Sequence, residues 1–187
     1  APFDQSYSAT IRLHQIKYFT RTGVPPVDRG MLMYYNMSPV MDPQTTNSIL
    51  DLGEAAKYLV NVDRYPLPLD LALPMYTWGV LIREGKVIRL INNLGPEALV
   101  DTSRFEQMDG PFFEVKKSTY LEGYYLYQGD RLRLEQVEAD TLIAALAQLR
   151  LALPPEARSL AFYHLDSLTV NRYAYDLYQK LQKLFEQ

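Results

Sequence analysis

The stretch Leu69-Asp70-Leu71-Ala72-Leu73-Pro74-Met75-Tyr76 decides the fold. It is almost continuously apolar, with none of the alternation expected of a strand that faces water on one side. Such a run suits a central parallel strand covered by helices. Pro66-Leu67-Pro68 precedes it and breaks whatever comes before. Between Asn47 and Val62, the residues Ile49, Leu52, Ala56, Tyr58, Leu59 and Val62 recur at helical spacing. Asn47 or Ser48 is available there as N-cap, and Asp51 and Glu54 fall early. Further upstream, Met31-Leu32-Met33-Tyr34-Tyr35-Asn36 reads as a buried strand, so the segment as a whole reads strand, helix, strand, the βαβ unit.

Working outward, Ala9-Thr10-Ile11-Arg12-Leu13-His14-Gln15-Ile16 alternates apolar and polar residues and reads as a strand. Thr22-Gly23-Val24-Pro25-Pro26 ends it and leads through Asp28-Arg29-Gly30, a turn or local ion pair, to the next strand. That connection is short for a crossover helix. On the other side, Asp140 caps a helix over Leu142 to Leu153 that Pro154-Pro155 ends. Ser159 to Leu165 is a strand, and from Thr169 onward Tyr173, Leu177, Leu181 and Leu184 share one helical face.

From Val80 the pattern changes. Val80-Leu81-Ile82-Arg83, Glu84-Gly85 and Lys86-Val87-Ile88-Arg89-Leu90-Ile91 read as a hairpin with a tight glycine turn. Phe112 to Tyr120, Tyr124 to Tyr127 and Arg131 to Val137 extend the same meander. The fold class expected is therefore α/β, a partial TIM-type (β/α) barrel with an antiparallel β-rich insertion. Barrel βα units occupy 1–79, the insertion 80–137, and a final helix-strand-helix 138–187. Four parallel strands do not close a barrel of about eight, so an upstream half of the same barrel or a homodimer would complete it. The chain opens Ala1-Pro2-Phe3 with no charged-then-apolar leader, which reads as a processed product or a piece of something longer.

Composition narrows the function. Apolar residues are 48% and charged residues 22% of the chain, as in an ordered globular protein, and no apolar run reaches the ~20 residues that span a bilayer. A net charge of −3 with both signs mixed argues against a nucleic-acid partner. With no cysteine, thiol nucleophiles and thiolate metal sites are excluded. The 15 tyrosines suit both half-buried strands and polar-ligand surfaces.

In such a fold, candidate residues lie at the C-terminal ends of the parallel strands. These ends offer His14, Tyr35, Asn36, Tyr76, Trp78, His164 and Asp166. Aromatic faces beside amides, imidazoles and carboxylates suit a sugar, whose C–H faces stack on rings while its hydroxyls pair with polar groups. Each has a structural alternative: either histidine as a hydrogen-bonded scaffold residue, Trp78 as packing against the insertion, one of Tyr34 and Tyr35 as core. Tyr120, Tyr124, Tyr125 and Tyr127 read first as cross-strand packing and second as a binding face. The spacing of His14, His164 and Asp166 matches no metal motif, and no Gly-rich phosphate loop or serine nucleophile elbow appears, so neither metal nor cofactor is implied. Asp70 sits at the wrong end of its strand for catalysis.

Met33-Tyr34-Tyr35-Asn36, followed by Leu71-Ala72-Leu73-Pro74-Met75-Tyr76 and a β-rich insertion, resembles the C-terminal half of chitinase-like glycoside hydrolases. Those carry a Met-x-Tyr-Asp strand, a Gly-Leu-Pro-x-Tyr strand and an inserted α+β subdomain. Ile11-Arg12-Leu13-His14-Gln15 and Leu73-Pro74-Met75-Tyr76-Thr77-Trp78-Gly79 also resemble segments of uncharacterised bacterial barrel proteins, which implies export. The chain departs from the hydrolase pattern in three places. Asn36 replaces an aspartate, Tyr163-His164 stands where a tryptophan is expected, and the acidic Asp-x-x-Asp-x-Asp-x-Glu strand is missing from these residues. The resemblance places that strand upstream of Ala1. It implies a carbohydrate-handling segment in which Tyr35 and Asn36 contact a glycan, Tyr76 and Trp78 stack on it, and His164 or Asp166 assists. Hydrolysis would need a carboxylate pair that these residues do not supply, so catalytic residues are not assigned and a non-catalytic glycan- or protein-binding module is the competing reading.

Overall fold

The computed structural model describes residues 5–153 and 159–186. Strand β1 (Ser8–Arg12) leads into helices α1 (Leu13–Lys17) and α2 (Phe19–Thr22), then β2 (Arg29–Met33), helix α3 (Leu52–Ala56), a 3-10 turn at Leu59–Arg64 and β3 (Leu69–Pro74). Next come β4 (Trp78–Arg83), β5 (Lys86–Asn92), β6 (Phe105–Gln107), β7 (Phe112–Val115), β8 (Thr119–Leu121), β9 (Tyr124–Leu126) and β10 (Arg131–Glu135). Helix α4 (Ala139–Ala152), β11 (Leu160–Tyr163), α5 (Ser167–Arg172) and α6 (Tyr175–Glu186) complete the described chain.

Strands β1, β2, β3 and β11 form a four-stranded parallel sheet in that order. Strands β5-β4-β10-β7-β6 form a separate antiparallel sheet, and β8 and β9 a two-stranded hairpin. The α/β class and the antiparallel insertion are as the sequence leads one to expect. The insertion interrupts the chain between β3 and its crossover helix α4, so the C-terminal end of β3 runs directly into the antiparallel sheet. The β4–β5 turn places both Glu84 and Gly85 at positive φ, 49° and 72°, the backbone that matches the twist of a two-residue hairpin.

Period-two alternation gives the parallel sheet two faces. Ile11, Leu32, Leu71 and Leu73 are fully or almost fully buried and pack with Leu142, Leu146, Leu149, Leu177 and Leu181 of the helical layer. The alternate residues Thr10, Met31, Met33, Ala72, Ala161 and Tyr163 face a cavity instead. At the N-terminal end of the sheet, Arg29 donates through Nε and Nη2 to Asp70 at 3.0 and 2.8 Å, and Ser159 N donates to the same carboxylate. The partner of Arg29 across the sheet is thus Asp70, while Asp28 accepts from Tyr7 N at 2.7 Å.

Several boundaries differ from the sequence reading. The expected strand over Ala9 to Ile16 stops at Arg12, because Leu13 and Ile16 bury together at helical spacing and Gln15 Oε1 accepts from Arg12 N at 2.9 Å. This supplies the missing crossover: α1 and α2 lie in the connection that looked too short. The strands containing Tyr34 to Asn36 and His164 to Leu165 likewise end early, at Met33 and Tyr163. Asp51, not Asn47 or Ser48, caps α3 by accepting from Glu54 N at 2.9 Å. Asn47 instead makes a turn, its Oδ1 accepting from Ile49 N, a local bond that competes with helix. Glu138, not Asp140, is the N-cap of α4. The final helix is broken into α5 and α6, with Tyr173 at the break. Helix α4 ends at Ala152, and the expected stop at Pro154-Pro155 lies outside the described residues.

Candidate functional site

The C-terminal ends of the four parallel strands and the start of the insertion enclose a cavity of about 920 Å³. Of the seven residues singled out from sequence, Tyr35, Asn36, Tyr76, Trp78, His164 and His14 line it. His14 does so from the first helical turn after β1 rather than from a strand end. Asp166 is not among the lining residues.

The rings form one cluster. Tyr35 stacks on Tyr163 at 5.2 Å with planes 13° apart, and Tyr76 meets Tyr35 and Tyr163 edge-on at 6.0 and 5.7 Å. Trp78 tilts against Tyr76 at 5.2 Å, and the His164 ring lies 6.3 Å from the Tyr76 ring with planes 30° apart. Tyr76 itself is 6% exposed, and its hydroxyl donates to Asn36 Oδ1 at 2.7 Å. Burial, with Tyr35, Tyr163 and Glu135 nearby, pushes its phenol far above the ordinary tyrosine value. Tyr76 therefore stays neutral and acts as a donor. Asn36 takes φ of 58°, a backbone that asparagine tolerates better than most residues, and this turns its amide to the Tyr76 hydroxyl at the cavity. Adjacent Tyr34 belongs to the core, wholly buried, with its hydroxyl donating to Gln148 Oε1 on α4 at 2.6 Å.

His164 Nε2 contacts Asp166 Oδ2 at 2.5 Å, and the Tyr163–His164 peptide is cis. Asp166 caps α5, accepting from Thr169 N and Thr169 Oγ1, both at 2.8 Å. Those bonds, with His164 beside them, hold its carboxyl below the usual aspartate value. Asp166 thus orients His164 from behind instead of meeting the cavity. Among the described residues no lining side chain of the cavity is acidic, and no group of three or more histidine, aspartate or glutamate side chains is placed to hold a metal.

The sequence reading passed over Tyr163, Met33, Asn92 and Asn93, all of which line the cavity. Tyr163 had a usable signal, since it ends β11 opposite Pro74, and strand ends were the selection rule. The two asparagines had a signal as well: the Glu84-Gly85 hairpin was legible, and following its pairing one residue past Ile91 brings Asn92 opposite Trp78. The tyrosine hairpin makes the cross-strand pair expected of it: Tyr120 faces Tyr125 with rings 5.0 Å apart, and Tyr125 meets Tyr127 at 5.1 Å.

No family model matches the sequence, and no curated protein sequence does either. Solved structures do match by shape. A chitinase from Chromobacterium violaceum superposes with a TM-score of 0.59 at 10% identity, over 97% of this chain and 56% of that one. The chain has the fold of part of a chitinase-type TIM barrel. The spore cortex-lytic enzyme SleL of Bacillus cereus superposes with a TM-score of 0.53 at 12% identity, over 92% of this chain and 42% of that enzyme. The chain therefore spans roughly half the length of the barrel proteins it matches.

Proposed function

We propose that the chain handles carbohydrate, and that a glycan occupies the strand-end cavity. The observation that carries this reading is the chemistry of the lining: Tyr35, Tyr76, Trp78 and Tyr163 beside Asn36, Asn92, Asn93 and His164, with no carboxylate among the described residues. Aromatic rings stack on the C–H faces of a sugar, and amides and an imidazole pair with its hydroxyls. With Nε2 of His164 engaged by Asp166, Nδ1 is the nitrogen left for a ligand. A barrel shared with a chitinase makes chito-oligosaccharides the first glycans to test. Hydrolysis of a glycosidic bond generally requires two carboxyl groups flanking it. The lining residues provide none, so binding is the role assigned to these residues, and cleavage would require carboxylates from another segment.

In the same reading, residues 1–79 and 138–187 are barrel units and 80–137 an inserted unit. The open face that carries Met31, Met33 and Ala161 is covered by further β/α units, from an upstream half or from a second copy. Titration calorimetry of the full chain against a glycan panel, with release of reducing ends followed in parallel, tests the function. Binding that Trp78→Ala and Asn36→Ala both weaken about tenfold, a loss of ~1.4 kcal/mol, supports it. No binding and no cleavage across the panel would overturn it.

A further inference from the structure

Behind the cavity lies a buried polar cluster that the glycan reading does not use. Arg133 and Glu135 lie two residues apart on β10 and point to the same face, and their side chains are wholly inaccessible to solvent. Arg133 Nε donates to Glu135 Oε1 at 2.6 Å, and its Nη1 and Nη2 donate to the carbonyls of Asp42 and Val40, both at 2.9 Å. Glu135 Oε2 accepts from Ser48 N at 2.6 Å and Ser48 Oγ at 2.7 Å. Two charges of the insertion thereby grip both arms of the loop between β2 and α3.

That loop carries Asn36. Asn36 N donates to Ile49 O at 2.8 Å and Met37 N to Ser48 O at 3.0 Å, so Ser48, held by Glu135, pairs with Met37, and its neighbour Ile49 pairs with Asn36. Asn36 Oδ1 then accepts from Tyr76. From the other direction, Glu135 pairs across the antiparallel sheet with Trp78. One residue thus meets both neighbours of Tyr76, its carboxylate holding Ser48 behind Asn36 and its backbone lying opposite Trp78. Burying two charges carries a large desolvation cost that only full pairing offsets, and a loop could be held far more simply by apolar packing.

We propose that Glu135 is a positioning residue for the cavity: its carboxylate fixes, through Ser48, the loop that carries Asn36 against the strand pair holding Trp78, so that the inserted sheet sets the shape of the barrel's binding end. The inference rests on the glycan reading for its purpose, and its geometry is testable without it. Trp78 is the sole tryptophan and reports the cavity by fluorescence. Asp130 provides the control. It is a buried carboxylate just before the opposite end of β10, bonded to Arg83 at 2.7 Å through both oxygens, and it is not among the residues lining the cavity.

The experiment compares Glu135→Gln, Ser48→Ala and Asp130→Asn in the full chain. Each is kept well below its own melting temperature, and acrylamide quenching of Trp78 is read beside chito-oligosaccharide affinity. The expected result is quenching raised about twofold in Glu135→Gln and less so in Ser48→Ala, with Asp130→Asn unchanged although it too melts earlier. Glycan affinity should follow the same order. Should Glu135→Gln fail to fold, Ser48→Ala, which leaves the ion pair intact, carries the comparison. Unchanged Trp78 quenching in the folded variants, or an equal change in Asp130→Asn, would overturn the proposal. If wild type binds no glycan while the quenching pattern holds, the glycan reading fails and the positioning role stands.

Discussion

The two sheets of this chain treat their second faces in opposite ways. The parallel sheet buries Ile11, Leu32, Leu71 and Leu73 against helices and leaves Met31, Met33, Ala161 and Tyr163 only half-buried or exposed along an open cavity. The antiparallel sheet packs Leu81, Ile91, Phe105, Val115, Leu132 and Leu134 on one side. On the reverse of β10 it buries a charged pair, Arg133 with Glu135, under a loop. Apolar packing is non-directional and tolerates sliding, whereas a paired guanidinium and carboxylate accept a narrow range of positions. The face left open is the one that has room for a ligand or further strands, and the face closed by charge is the one that holds the loop beside that room.

The largest effect expected is on the closed face. Arg133→Met leaves Glu135 buried without its cation and should cost about 3–5 kcal/mol, while Arg133→Met combined with Glu135→Leu should recover only part of that loss, because Ser48 and the carbonyls of Val40 and Asp42 stay unpaired. Denaturant melts of the single and double variants check it, and equal losses would mean that the pair acts as packing alone. On the parallel sheet, Leu32→Ala should cost about 2–5 kcal/mol because its neighbours close around it. Met33→Ala, facing the cavity, should cost a small fraction of that. A Met33→Ala loss as large as the Leu32→Ala loss would mean that this face is covered in solution, which sharpens the proposal of further β/α units.

The third effect is alkaline. Burial pushes the Tyr173 phenol up to about 12 from 10.0, and Tyr34 and Tyr76 are displaced in the same direction by the same cause. The folded state holds these protons more tightly than the unfolded chain. The stabilisation is complete below pH 10 and is lost as pH rises, by about 1.4 kcal/mol per pH unit for each such phenol between its two values. For Tyr173 that window runs from 10.0 to about 12. Thermal melts between pH 9 and 11 should fall steadily at the top of that range, and Tyr173→Phe should flatten the fall. The smallest effect is on the site: Tyr76→Phe removes only the bond to Asn36 and should cost about 1 kcal/mol of stability. Its glycan affinity should drop more than its melting temperature does, and the reverse ranking would place Tyr76 in the core instead of the site.

Much of this was legible in the amino-acid order. The run Leu69 to Tyr76, apolar without alternation, required a strand covered on both sides, and the Glu84-Gly85 turn required a hairpin. The rule that parallel barrels work at their strand ends then selected Tyr35, Asn36, Tyr76, Trp78 and both histidines, all of which line one cavity. The misreadings share one cause. Leu13-His14-Gln15-Ile16 fits a strand by alternation and a helix by the spacing of Leu13 and Ile16, and what decides is which neighbours bury the two apolar residues. Asp166, picked by its position, also caps a helix, because Thr169 lies within reach of its carboxylate. Asn92 and Asn93 reach the cavity only through strand pairing, and Arg133 and Glu135 are buried by a loop 87 or more residues away. Local periodicity is written residue by residue, so the sequence by itself determined most of the strands, though not β6 or the break between β7 and β8, and the aromatic character of the site. Which distant segments cover a face is decided by long-range burial, and only the tertiary structure settled where the charges, caps and cavity walls meet.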